Sequence, residues 1–156
     1  MKEQKELKEE KYIVCDCAPN NHGKSDTLLG LIKYFTDNFG YKSSPAIITI
    51  RKMKDELLLF QLPGKKVVVD TYGDPSPTFL KWLNAAVDTK AEIIFAACRT
   101  GKGQKRMVSN IAASHGYKVI WFSNFYWPNS SRVSIKKQNM IRQQEIECLS
   151  DLAHML

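Results

Sequence analysis

Short apolar runs alternate with amphipathic stretches along this chain. Residues 12–17, Tyr-Ile-Val-Cys-Asp-Cys, have the pattern of a buried strand. From Thr27 to Phe39, the residues Leu28, Leu31, Ile32 and Phe35 recur at helical spacing, and Gly40 stops the segment. Residues 46–50, Ala-Ile-Ile-Thr-Ile, are β-branched and read as a strand. Residues 56–60 suit a short helix or a strand equally. Lys65 to Asp70 is a second clear buried strand, closed by the turn-rich segment 71–77. A helix is expected from Pro77 to Val87, with Phe79, Leu80, Leu83 and Val87 on one face. Residues 92–97 form the next strand, 99–103 a loop, and 104–114 a helix ended by His115-Gly116. Residues 118–122 form the last strand. A polar turn at 128–131 leads into a helix from Ser134 to Met155, whose Ile141, Ile146, Leu149, Leu152 and Leu156 lie roughly on one face.

Strands alternating with helices predict an α/β fold: a three-layer α/β/α sandwich with a mainly parallel central sheet. Residues 12–156 read as a single domain after a charged lead-in at 1–11. Sheets of this kind bind ligands beyond the carboxyl ends of their strands. That rule singles out residues 18–25, 70–76, 98–103 and 123–128, all rich in polar residues or glycine.

Composition narrows the classes. At 156 residues, 44% hydrophobic and 25% charged, the chain has ordinary globular proportions. No apolar run approaches the roughly 20 residues that span a bilayer. The lead-in lacks the apolar core of a secretory signal. The expected location is the cytoplasm, with no membrane partner. Cys15, Cys17, Cys98 and Cys148 have no zinc spacing and read as buried free thiols. His22, His115 and His154 are far apart and form no metal triad. The net charge of +7 suits either a phosphate ligand or nucleic acid. Its clusters at Arg51, Lys52 and Lys54, at Lys102, Lys105 and Arg106, and at Lys136 and Lys137 form no dominant patch.

Residues 18–25 carry the strongest chemical signal. Ala18, Pro19, Asn20, Asn21, His22, Gly23, Lys24 and Ser25 match G-x-x-x-x-G-K-S/T except for Ala18 at the first glycine. Gly23 lets backbone N–H groups curl inward as an anion nest. Lys24 reaches the β- and γ-phosphates, and Ser25 offers a hydroxyl to Mg²⁺. The helix that follows aims its positive end at the phosphates. Pro19 removes one N–H from the nest. With a buried strand before it and an amphipathic helix after it, the segment reads as a phosphate-binding loop for a purine nucleoside triphosphate.

On these residues the chain resembles the P-loop NTPase superfamily. Val67-Val-Val-Asp70 is similar to that family's second motif, whose carboxylate holds the Mg²⁺ shell. The resemblance implies a P-loop fold, ATP and Mg²⁺ as ligands, Ser25 and Asp70 at the metal, and Asp26 beside the nucleotide. Asp74 is a candidate for orienting water or touching the metal, or else belongs to a tight turn before Pro75. Arg99 and Arg106 resemble lid arginines that neutralise a transferring phosphoryl group, or belong to a solvated basic loop. Asn124 is a candidate for reading the base, with Phe125 or Tyr126 to stack, or else these aromatics pack the C-terminal helix. The guanine-reading N-K-x-D pattern is absent, which favours ATP over GTP.

Three functions follow. The first is a small Mg²⁺-dependent ATPase or nucleotide-controlled switch that works with a protein partner or a second copy of itself. The second is a small-molecule or nucleotide kinase with a basic lid at 99–106. The third is a nucleotide-binding regulatory subunit with little turnover. Asp70-Thr-Tyr-Gly is similar to a partition-type ATPase pattern, but Pro19 stands where that group carries a lysine. No obvious catalytic glutamate follows Asp70.

Overall fold

A computed structural model describes residues 10–19, 23–46, 54–127 and 132–156. The elements run β1 (Lys11–Cys17), α1 (Lys24–Phe39), β2 (Ser43–Pro45), β3 (Leu57–Leu62), β4 (Lys65–Asp70), α2 (Pro77–Asp88), β5 (Ile93–Cys98), α3 (Gln104–His115), β6 (Tyr117–Phe122) and α4 (Ile135–Met155). The strands form one six-stranded sheet in the order β2-β3-β4-β5-β1-β6. The pairs β4·β5, β5·β1 and β1·β6 are parallel, whereas β2·β3 and β3·β4 are antiparallel. The molecule is therefore an α/β fold with a mixed, mostly parallel sheet.

Two apolar clusters on opposite faces of the sheet explain why the strands read as they do. Ile13 and Cys15 face α2 and α3, together with Val68, Ile94, Ala96, Trp82 and Leu83. Val14 faces α1 and α4, together with Val67, Val69, Phe95, Leu28, Phe35 and Leu149. Every residue of β5 is buried, as expected of a parallel strand covered on both sides. Leu28, Leu31 and Phe35 of α1 are fully buried, and each such side chain contributes about 1.5–3 kcal/mol of transfer free energy.

Two assignments change. The ambiguous run at 56–60 is a strand, because Pro63 and Gly64 fold Leu57–Leu62 back antiparallel on Lys65–Asp70. Next to it, the outermost strand is Ser43–Pro45. Of the strand expected at 46–50, Ala46 lies in a bend and the rest falls outside the described residues. Among the cysteines, Cys15 and Cys98 are buried, Cys17 is half-buried and Cys148 is exposed, and all four are free. Cys148 lies on α4, lines the cavity between that helix and β6, and is open to solvent. The His154 ring packs on Phe39 at 4.7 Å, and Tyr41 Oη lies 2.8 Å from its Nε2.

The approach of α1 to α4 is close at Gly30, where an added Cβ would stand 2.3 Å from Ile146 Cδ1 and 3.2 Å from its Cγ1. Helix propensity alone favours alanine over glycine by about 1 kcal/mol, but Ile146 is buried and holds its rotamer by packing. Gly30→Ala is expected to lower stability in the parent chain. In an Ile146→Val background, which removes Cδ1, the same substitution is expected to be neutral or stabilising. Urea unfolding of the four proteins in this cycle measures both effects.

Candidate functional site

The carboxyl ends of β1, β4, β5 and β6 gather the polar segments at one edge of the sheet. The start of the 18–25 loop is fixed by β5: Ala18 N–H donates to Cys98 O at 3.2 Å, and Thr100 N–H donates to Ala18 O at 3.4 Å. Gly23 has φ +82° and forms the N-cap of α1, a conformation that favours glycine. Asn20, Asn21 and His22 lie outside the described residues. Lys24 opens the helix and turns inward. Its Nζ donates to Ala18 O and Pro19 O, both at 2.9 Å. The residue is 7% exposed, and burial pulls the ammonium below its ordinary pKa, with Arg99 adding repulsion and Asp16 opposing.

Ser25 points the other way, toward β4. Its Oγ donates to Thr71 O at 3.3 Å, beside Asp70 at the end of β4. Asp70 is buried, and its carboxyl accepts from Tyr72 N–H at 3.0 Å. Burial pushes its pKa up to about 8, helped by the charge of Asp55 and opposed by the Tyr72 bond. The antiparallel β3 delivers Asp55, which was not singled out in the sequence. Thr71 Oγ1 donates to Asp55 Oδ1 at 2.8 Å and accepts from Glu56 N–H at 2.9 Å. Burial and the charge of Asp74 raise the Asp55 carboxyl. Nothing in linear order marks Asp55. Only the β3–β4 hairpin brings it beside Thr71.

Arg99 makes an ion pair with Asp74, joining the segment after β5 to the segment after β4. Gln104, 1% exposed, ties the same two segments together. It accepts from Arg99 N–H at 2.8 Å and donates to Gly73 O at 2.9 Å. Arg106 is exposed on α3, and Asp26 is exposed in the first turn of α1.

The opposite flank is built from β6 and α4. Asp16 is fully buried on the α1/α4 side of β1, and its Oδ1 accepts from Asn124 N–H at 3.3 Å. Its Oδ2 has no hydrogen-bond partner among the described residues. Asn124 is buried, and its Nδ2 donates to Phe125 O at 3.2 Å. Phe125 N–H donates to Glu145 Oε1 at 3.0 Å. Phe125 and Tyr126 are exposed. Arg142 joins this flank to the loop: Nη1 donates to Thr27 Oγ1 at 2.6 Å and to Glu145 Oε2 at 3.2 Å. Trp127 stacks on the guanidinium at 5.3 Å. A Cβ built on Gly23 would meet Arg142 Nη2 at 2.5 Å and Asn124 Nδ2 at 3.4 Å. Arg142 escaped sequence reading because the periodicity of α4 draws attention to its apolar positions. An apolar cavity of about 480 Å³ lies between β6 and α4, with Asn124, Phe125 and Glu145 at its polar end.

Among the described residues, no group of three or more His, Cys, Asp or Glu side chains forms a metal cage. Mg²⁺ carried by a triphosphate needs only one or two protein ligands, because waters and phosphate oxygens supply the rest. Ser25 Oγ and the buried Asp70 carboxyl are hard oxygen donors that fit this demand. Among the described residues, no helix is long and apolar enough to cross a membrane. No protein-family model, curated protein or solved structure matches the chain.

Asp16 gives the site a pH signature. Burial lifts its carboxyl to about 6, against the pull of Asn124 N–H and Lys24. An acid whose pKa is raised on folding stabilises the fold below its unfolded pKa near 4, and this contribution is lost as pH rises through the folded value. Stability is therefore expected to fall between about pH 4 and pH 7. Asp16→Asn keeps an acceptor for Asn124 N–H, so it is expected to make this slope shallower, Asp70 supplying the part that remains, and to raise stability at pH 7 by roughly 1–3 kcal/mol. Urea midpoints of both proteins across this range are the check.

Proposed function

We propose that the chain is a P-loop nucleotide-binding protein that takes ATP with Mg²⁺ and acts as a small ATPase or nucleotide-controlled switch with a partner. The observation that carries this reading is the posture of Lys24. A buried ammonium is held under the loop on two carbonyl oxygens, and the adjacent Ser25 hydroxyl reaches toward the Asp70 strand. A triphosphate offers Lys24 negatively charged acceptors in place of neutral ones, which adds Coulomb attraction to an ammonium already withdrawn from water. Ser25 and Asp70 would hold the Mg²⁺, which neutralises phosphate charge when bound. Asp55 and Asp74 stand on the same flank as the acids available to orient a water. The apolar cavity beside Asn124 offers a dry wall to a purine.

The segment at 99–103 favours this reading over a kinase. It is a short connection between Cys98 and Gln104. Arg99 is paired with Asp74, and Gln104 pins the loop to Gly73. A segment tied at both ends couples two switch-like turns more readily than it sweeps over an acceptor as a lid. Exposed basic residues on α3, Lys105 and Arg106, leave room for an acidic partner or nucleic acid.

Lys24→Ala is expected to weaken MgATP binding by at least about a hundredfold, since it removes the cation that meets the phosphates. Calorimetric titration of the parent and variant measures this. If the variant binds MgATP as tightly as the parent, the proposal fails. Phosphate release with no labelled acceptor would place the protein with the ATPases. Binding without release would place it with the switches.

A further inference from the structure

The sheet order gives the bound nucleotide a direction. Asp70 ends β4, two strands from β1 on one side, and the 123–127 segment leaves β6 on the other. With the metal end of the triphosphate on the Asp70 side, the nucleoside end faces β6 and α4. Arg142 stands on that side, against Gly23 and the first turn of α1.

Arg142 stands where a further anion is electrostatically favoured. A guanidinium at the N-terminus of a helix lies at the positive end of the macrodipole. Lys24 adds a second cation to the same turn. Glu145 balances Arg142 through Nη1, and Asp16 feels both Arg142 and Lys24. Nη1 donates both hydrogen bonds of the guanidinium among the described residues, to Thr27 and Glu145. Nη2 lies against Gly23 and donates to no acceptor among the described residues. Trp127 lies against the guanidinium, its ring centroid 5.3 Å from Cζ, and with the Nη1 bonds to Thr27 and Glu145 it restrains the donor.

Resting on the ATP reading of the 18–25 loop, we infer that Arg142 is a nucleotide-binding residue whose Nη2 takes the α-phosphate, with Trp127 as its support at the nucleoside end of the site. The ligand class that satisfies this arrangement is a nucleoside 5′-phosphate. Lys24 serves the β- and γ-phosphates and Arg142 the phosphate next to the ribose. The two cations therefore discriminate between ligands in different ways.

The test is calorimetric titration of MgATP and MgADP into the parent, Lys24→Ala, Arg142→Ala, Arg142→Lys and Trp127→Phe proteins, each first checked by thermal unfolding without nucleotide. Loss of one charge-assisted contact predicts a roughly tenfold to hundredfold weaker complex for Arg142→Ala. The loss is expected to be the same factor for ATP and ADP, because both carry the α-phosphate. Arg142→Lys is expected to recover part of the affinity. Lys24→Ala is expected to cost ATP more than ADP. Trp127 fluorescence is expected to change on ATP addition in the parent, and the change is expected to vanish in Trp127→Phe. If Arg142→Ala binds both nucleotides like the parent while Lys24→Ala does not, the inference is overturned and the ATP reading stands. A selective loss of ATP over ADP in Arg142→Ala also overturns it. If the parent binds neither nucleotide, both fail together.

Discussion

A cation withdrawn from water governs the arrangement of the whole carboxyl edge. Lys24 is held under the loop by two neutral oxygens, Ala18 O and Pro19 O. Burying an ammonium is expensive unless charge or strong acceptors compensate. Around it stand Arg99 on one flank and Arg142 on the other, with the N-terminus of α1 adding its own positive end. Asp74 pairs with Arg99, and Glu145 with Arg142 and Phe125 N–H, so of Asp16, Asp74 and Glu145 only Asp16 acts on Lys24 itself. An electrostatic basin of this kind is suited to a polyanion.

The fold places these groups without help from long insertions. Parallel β4, β5, β1 and β6 end at one edge, and each exit carries a short polar segment. Hydrogen bonds then connect the exits in a chain. Ser25 reaches Thr71, Gln104 joins Arg99 to Gly73, and Asp16 holds Asn124. Arg142 closes the chain by tying α4 to α1. Any ligand that moves Lys24 or Arg142 therefore acts on several segments at once. This connectivity is what a nucleotide-dependent conformational change requires.

Most of the scaffold was legible because periodicity reports burial directly. The run Val67-Val-Val-Asp70 and the spacing of Leu28, Leu31 and Phe35 named their strand and helix before any coordinates. Residues 56–60 were not legible, because a five-residue apolar run fits a strand or a helix turn, and the Pro63-Gly64 reversal decides it. Within the site, Lys24, Ser25 and Asp70 could be picked out from local spacing. Asp55, Gln104, Glu145 and Arg142 could not. Each reaches the site through a contact distant in sequence, such as Arg142 with Thr27 or Asp55 with Thr71. Asp16 alternates with Cys15 and Cys17 along β1, but its role as the buried anchor of Asn124 depends on β1 and β6 being neighbours.

The resting contacts of Lys24 make the central claim directly observable. A crystal structure with Mg²⁺ and a non-hydrolysable ATP analogue would show where the ammonium goes. The account predicts that Lys24 Nζ leaves Ala18 O and Pro19 O for phosphate oxygens above Gly23, with the metal beside Ser25 and Asp70. An analogue bound elsewhere, with Lys24 still on the two carbonyl oxygens, would contradict it.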